Sequence, residues 1–289
     1  MKDKIERYIA WKATYTTRAC INYKPWLLKF QEYTKKPIEK ITIEDIVKFR
    51  KYLDSHYGTY SIQFAFVVLQ NFFKFWKLQG IECLSPVLIK IPSTLQKSYN
   101  AISEEEYKKL INASYGDDFI NTRNRLLVHV LWETGIRVSE LIDLDTTDVV
   151  PERCGAIIRT KKSSRRRQIF WSKETHKLLL EYLPERAKVS HTPALFVGAG
   201  TYVTKRITPR QVQRIIKMLC IKEGIRKRIS PHSFRHGKAH YILDKGGNPR
   251  HVGAILGHSE KNPGASFIYL QFNNKELEKI AQTFLPKRD

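Results

Sequence analysis

Residues 91–101, with the sequence IPSTLQKSYNA, divide this chain into two parts. They contain Pro92 and three serines or threonines, and their apolar residues follow no helical or strand period. A stretch of this composition between two periodic regions is typical of an interdomain linker. The sequence therefore predicts a helical domain over residues 1–91, a linker over 92–101 and a second domain over 102–289.

The part before the linker is predicted to be helical. Helices are expected over residues 17–33, over 42–56 with Thr42 as the N-cap, and over 61–80 with Gly80 as the stop. The third carries aromatic residues on more than one face, in FAFVVLQNFFKFWKLQG. That pattern favours a bundle core over a platform for stacking bases.

The part after the linker mixes helices with a small sheet. Ser103 and Glu106 have the spacing of a capping box, so a helix is expected to begin there. The segment GAIIRTKKSSRRRQIFW has two β-rich arms, AIIRT and RQIFW, around a basic centre, which predicts a β-hairpin. Further helices are expected from 122 through LLVHVLWETG, from 137 through VSELIDL, and over 173–183, 208–223, 233–245, 249–256 and 274–284. The predicted fold class is mainly α with a small β-sheet, the second domain being α+β.

The charge of the chain indicates a polyanionic partner. There are 51 Lys and Arg against 28 Asp and Glu, a net charge of +23, and both parts of the chain are basic. Nucleic acid is the simplest reason to tolerate such self-repulsion. A membrane is not expected, because no run of about 18 apolar residues and no signal-peptide pattern is present. The four cysteines are widely spaced, which argues against a zinc knuckle or a disulfide framework and favours the cytoplasm.

The stretch TGIRVSEL, residues 134–141, places an arginine among apolar residues. Gly135 permits a tight break between two helices. A half-buried guanidinium at Arg137 requires an anion. Two interpretations stand at this point, a structural ion pair with Glu140 and the binding of a phosphate.

Three other stretches carry groups suited to a phosphodiester. Residues 161–167, KKSSRRR, form the predicted hairpin tip, and by themselves they indicate an exposed turn or a non-specific backbone contact. In HSFRH, His232 and Arg235 share one helix face near a helix start that favours anions. LGHS contains His258, a possible donor to a phosphate oxygen, and FIYL contains Tyr269, which by itself resembles a core residue.

Taken in order, these stretches resemble the motifs of the tyrosine recombinases, or phage-type integrases, which include the Xer proteins. TGIRVSEL is similar to their first-arginine motif, HSFRH to their HxLRH box and LGHS to their second-histidine motif. The helical first part resembles their core-binding domain, which clamps DNA. The resemblance covers essentially the whole chain, although only the second part carries specific motifs.

The resemblance implies a chemistry for each of these residues. Tyr269 would attack a DNA phosphate, form a 3′-phosphotyrosyl bond and release a 5′-hydroxyl. Arg137 and Arg235 would hold the phosphate, His258 would donate a further hydrogen bond, and His232 would assist proton transfer. A hairpin lysine would protonate the leaving oxygen. No cofactor and no metal are implied, in keeping with the lack of a P-loop or a paired-carboxylate site in the sequence.

Two positions stay open within this resemblance. One family spacing selects Lys162 as the hairpin lysine and another selects Lys161. The segment from His258 to Tyr269 is about two residues longer than is usual in the family, which leaves Tyr241 as an alternative nucleophile.

Three functions are compatible with the motifs. The first is a site-specific recombinase acting on double-stranded DNA as a homotetramer, in which the helix over 274–284 docks on a neighbouring subunit rather than on its own domain. The second is a monomer that resembles type IB topoisomerases. The third is a catalytically degenerate DNA-binding protein.

Overall fold

The computed structural model describes residues 1–16, 19–93, 100–159, 166–200 and 204–257. The chain divides into two compact units, Met1–Lys97 and Ser98–Asp289. The helices described in the first unit are α1 (Lys2–Ala13), α2 (Ala19–Asn22), α3 (Lys24–Thr34), α4 (Ile43–Asp54) and α5 (Thr59–Leu78).

The first unit has its own aromatic core. The α5 side chains of Phe66, Phe72, Phe73 and Trp76 are at most 4% exposed. Phe30 of α3 meets the ring of Phe49 of α4 edge-on, with the ring centres 5.0 Å apart. These contacts agree with the interpretation of the aromatic helix as part of a bundle core.

The helix predicted over 17–33 is wrong, because the chain is divided at Tyr23 between α2 and α3. Pro25 has no N–H, and its ring clashes with the carbonyl four residues earlier in a continuous helix. The first turn of a helix tolerates proline, and α3 begins at Lys24 accordingly. Helix α1, which buries Ile5 and Tyr8, was not predicted.

The second unit combines helices with one sheet. Its described helices are α6 (Glu104–Ala113), α7 (Phe119–Thr134), α8 (Val138–Asp143), α9 (Lys173–Val189), α10 (Pro209–Lys222), α11 (Pro231–Asp244) and α12 (Pro249–Leu256). Its described strands are β1 (Val149–Val150), β2 (Gly155–Arg159) and β3 (Arg166–Phe170). The mainly helical fold with a small sheet confirms the predicted fold class.

The sheet is antiparallel in the order β1-β2-β3. Strands β2 and β3 are the predicted hairpin arms, and Ala156 pairs with Ile169 across them. Ala156, Ile158 and Ile169 are at most 3% exposed, so one face of the sheet is buried in the core of this unit. Helix α7 lies at the centre of the unit and contacts α6, α9 and α11.

The helix cap that the sequence predicts at Ser103 is present, and a second one occurs at Thr208. Ser103 accepts a hydrogen bond from Glu106 N, and the Glu106 carboxylate accepts one from Ser103 N. Thr208 and Gln211 form the same box at α10. These local bonds fix helix starts because they satisfy N–H groups that have no partner within the helix.

Helix α9 continues six residues beyond the predicted end at 183, although Pro184 lies inside it. Buried Arg186 donates to the carbonyls of Ser190 and Ala194, at 3.0 and 2.7 Å. Tyr182 donates to Leu195 O at 3.0 Å. These bonds tie the last turn to the segment that follows and offset a proline cost of about 3 kcal/mol.

The predicted helix over 274–284 lies outside the described residues. No helix among the described ranges is both long enough and apolar enough to span a bilayer.

Candidate active site

Arg137 lies in the short break between α7 and α8. Gly135, with a φ of 59°, ends α7, and Arg137 is the N-cap of α8. The buried carboxylate of Glu140 accepts from Arg137 N and from Arg137 Nη1, both at 3.0 Å. The ion pair anticipated from the sequence is therefore present. The Arg137 side chain is still 38% exposed, so part of the guanidinium remains accessible to a second anion.

Arg167 is a site residue that the sequence reasoning missed. The sequence predicts Arg167 at an exposed hairpin tip, but it lies on β3 and its side chain is only 17% exposed. Its guanidinium donates to Glu140 Oε2 and to Ile255 O, each at 2.9 Å. Strand alternation could have predicted this burial. Arg167 lies two residues from Ile169, which faces the core, so both side chains lie on the same face of the strand.

Arg235 is held by two main-chain carbonyls. It is 5% exposed. Nη1 donates to Gly135 O at 2.9 Å, and Nη2 donates to Leu256 O at 2.7 Å. The last carbonyls of helices such as α7 and α12 lack intrahelical partners and favour cations. These bonds orient the guanidinium by joining α11 to the ends of two other helices.

His232 lies one turn before Arg235 on α11 and is an exposed residue. Partial burial lowers the pKa of the imidazole below its usual value, and the positive charges of Arg235 and Arg137 lower it further. The three side chains therefore belong to one electrostatic neighbourhood. At neutral pH an imidazole with a lowered pKa is uncharged and can accept a proton.

Glu140 keeps its charge within this site. Burial opposes ionisation, but Arg167 and then the main-chain and side-chain donors of Arg137 outweigh it, so the pKa of Glu140 is below its usual value. The negative charge of Glu140 offsets the positive charge of only one of the three arginines, Arg137, Arg167 and Arg235. The group as a whole is positive and is suited to a bound phosphate.

Tyr241 lies on the opposite side of α11 from His232. It is nine residues after His232, which is about 180° around an α-helix. Its ring contacts Trp132 with the ring centres 5.7 Å apart, and it lines a cavity of about 380 Å³ together with Tyr107 and Lys238. This position does not favour Tyr241 as the group that attacks a phosphate bound by His232.

The remaining candidates from the sequence, Lys161, Lys162, His258 and Tyr269, lie outside the described residues. The structure thus brings together Arg137, His232 and Arg235, which are separated by up to 98 residues. These three side chains are called the phosphate cluster below.

Comparison with known proteins identifies the family. Residues 100–275 match the model of the phage integrase family. Tyrosine recombinase XerA of Pyrococcus horikoshii is 30% identical over 262 residues, which cover 90% of this chain and 85% of XerA. Tyrosine recombinase XerC of Corynebacterium glutamicum is 34% identical over 202 residues, which cover 69% of this chain and 62% of XerC.

Solved structures agree with this assignment. A crystal structure of XerA recombinase matches 99% of this chain and 100% of its own, with 26% identity and a TM-score of 0.56. The Tn1549 transposon integrase in complex with transposon right end DNA has the same fold, with a TM-score of 0.80 at 15% identity over 97% of this chain and 98% of its own. The chain belongs to the phage integrase family and is a tyrosine recombinase, an enzyme that cleaves and rejoins DNA strands.

Proposed function

We propose that the phosphate cluster binds the scissile phosphate of double-stranded DNA during site-specific recombination, and that Tyr269 is the nucleophile. The observation that supports this most is the arrangement of Arg235, buried and held by two carbonyls, beside a half-exposed Arg137 and an imidazole. Fixed guanidiniums stabilise charge that develops in a transition state without reorganising.

The reaction is a pair of transesterifications. The phenolic oxygen of Tyr269 forms a bond to phosphorus, and the bond from phosphorus to the 5′-oxygen breaks. A phenol with a pKa of about 10 is a poor nucleophile at neutral pH, so loss of its proton has to accompany attack. Uncharged His232 is suited to receive that proton directly or through water. The leaving 5′-oxygen takes a proton from Lys161 or Lys162 of the hairpin.

The second step reverses the first with a different strand. The 5′-hydroxyl of a partner strand attacks the phosphotyrosyl phosphorus and returns the phenol. The phosphodiester energy is retained in the 3′-phosphotyrosyl bond, so the balance of the reaction needs no nucleotide.

Covalent trapping tests the nucleophile. A duplex recovered from a randomised pool by repeated rounds of binding to the full chain is remade with one nick at successive positions. Cleavage close to the nick releases a short fragment, so the protein stays attached to the 3′ end. We expect an adduct with the wild-type chain, no adduct with Tyr269→Phe, and an unchanged yield with the matched control Tyr241→Phe.

Two results would contradict the proposal. If the wild-type chain binds the duplex but forms no adduct at any nick, Tyr269 and the phosphate cluster do not carry out strand cleavage. If Tyr269→Phe forms as much adduct as the wild type, the nucleophile is another residue.

The assembly is a further part of the proposal. Residues 274–284 carry Leu277, Ile280 and Phe284 at helical spacing, and exchange between two duplexes requires four copies of the chain. Sedimentation on the selected duplex should give a four-copy complex for the full chain and smaller complexes for a chain ending at 273. A single-copy complex of the full chain on that duplex would contradict the four-copy assembly.

A further inference from the structure

One guanidinium outside the phosphate cluster joins three separate parts of the second unit. Arg167 belongs to β3, the strand that follows the basic hairpin tip. Its Nη2 donates to Glu140 Oε2, and Glu140 in turn holds both the main chain and the side chain of Arg137. Its Nη1 donates to Ile255 O in the last turn of α12.

The end of α12 is held by two arginines at successive carbonyls. Ile255 O accepts from Arg167 and Leu256 O accepts from Arg235. Gly257, with a φ of 66°, follows, and a Cβ there would lie 2.5 Å from Arg167 Nε. The next residue in the chain is His258. Arg167 is therefore packed directly against the backbone that leads into the second-histidine motif.

Arg167 also sets the charge available to Arg137. Glu140 and Arg137 by themselves form a neutral pair. With Arg167 present, the buried carboxylate is shared between two cations, and the three groups together carry a net charge of +1. Without it, Glu140 would attract the whole of the Arg137 guanidinium and weaken its contact with a phosphate.

We propose that Arg167 is a positioning residue for the recombination reaction. It holds Glu140 and the end of α12 together, and thereby keeps Arg137 oriented towards the phosphate while fixing the start of the segment that contains His258. Because Arg167 follows the hairpin on the same strand, it also couples the base of that hairpin to the phosphate cluster. This inference rests on the proposed function of the cluster.

The test compares Arg167→Met and Arg167→Lys with a matched control, Arg153→Met. Arg153 is an exposed arginine that bonds Gln168 on the same sheet, so its removal matches the loss of charge without touching Glu140. Lysine keeps the charge, but its single ammonium lacks the planar fork that reaches two acceptors. Each variant is measured for duplex Kd, thermal midpoint, and the rate and amplitude of adduct formation at saturating nicked duplex.

We expect adduct formation to slow about 100-fold in Arg167→Met and about 10-fold in Arg167→Lys. Rate losses of this size are typical when a catalytic group is displaced by about 1 Å. The Kd should change less than about threefold, because most of the affinity comes from other phosphate contacts. Arg153→Met should react at the wild-type rate. A purely structural defect would lower the amplitude, which counts folded enzyme, and would leave the rate of the remaining molecules unchanged.

A substrate with a methylphosphonate at the scissile position gives a second readout. It lacks the negative charge that Arg137 is positioned to meet, so the difference between wild type and the Arg167 variants should shrink. A wild-type rate in Arg167→Lys, a loss confined to the amplitude, or an equal loss on both substrates overturns the proposal. If Arg167→Met does not fold, Arg167→Lys decides alone. Failure of the wild-type chain to form any adduct would refute the proposed function instead, so the two failures are distinguishable.

Discussion

The arrangement of Arg137 and Arg167 depends on Glu140, so replacing Glu140 by glutamine should lower the stability of the folded chain. The side chain is 6% exposed and accepts three hydrogen bonds, from Arg137 N, Arg137 Nη1 and Arg167 Nη2. Glutamine has nearly the same shape, but it has one acceptor oxygen and no charge. With its oxygen at the Oε2 position, the amide can still accept from Arg137 N and Arg167 Nη2, but its N–H₂ then faces the Arg137 Nη1 donor.

The expected cost follows from the exposure of the two partners. Arg137 is 38% exposed and regains water, so its bond contributes at most about 1 kcal/mol. Arg167 is 17% exposed, and the change of its acceptor from a charged carboxylate to a neutral amide costs about 1–1.5 kcal/mol. We expect Glu140→Gln to lower the free energy of unfolding by about 1–3 kcal/mol. For a unit of this size that corresponds to a fall of roughly 2–10 °C in Tm.

The difference in stability between wild type and Glu140→Gln should depend on pH. The pKa of Glu140 is lower in the folded chain than in the unfolded chain, so its contribution is fully present above the unfolded pKa of about 4.3 and is lost as pH falls through the folded pKa. The stability gap between the two proteins should therefore be constant from pH 7 to about pH 5 and shrink below about pH 4.

Urea unfolding at several pH values and hydrogen exchange of residues 138–143 measure the gap. Equal stability of the two proteins at pH 7 would show that Arg137 and Arg167 do not depend on Glu140. A gap that persists unchanged down to pH 3 would show that the lost contribution is not the ionised carboxylate.

Three further predictions concern stability and binding. Gly257→Ala should destabilise the chain by about 1–2 kcal/mol more than Gly246→Ala, because both residues have positive φ but only a Cβ at 257 meets Arg167; equal losses in Tm would contradict this steric reason. Burial lowers the pKa of His236 to about 4, against about 6.5 when unfolded, so urea midpoints should fall as pH drops from 6.5 towards 4, less so in His236→Gln; equal slopes would refute it. The Kd for the selected duplex should rise at least about 10³-fold between 50 and 200 mM salt, as expected for six or more phosphate contacts, and a flat response in filter binding would argue against a phosphate-dominated interface.

The parts of the candidate site that could be predicted are those marked by short sequence motifs. TGIRVSEL, HSFRH and the two hairpin arms each extend over only a few residues, and the cap at Ser103 satisfies an N–H group three residues away. The ordered motifs were sufficient to predict the family, and the comparisons confirm it. The roles of Tyr269, His258 and the hairpin lysine stay predictions.

The sequence by itself determined which residue types stand at helix starts, strand arms and motif positions, because those choices depend on neighbours along the chain. Only the tertiary structure decided which partners those residues meet. Glu140 is shared with Arg167 from a strand 27 residues away, and Arg235 bonds a carbonyl 100 residues away. Helix α9 continues past Pro184 because Arg186 bonds the segment beyond it. Contacts between distant residues form only when the core closes, so no local pattern encodes them.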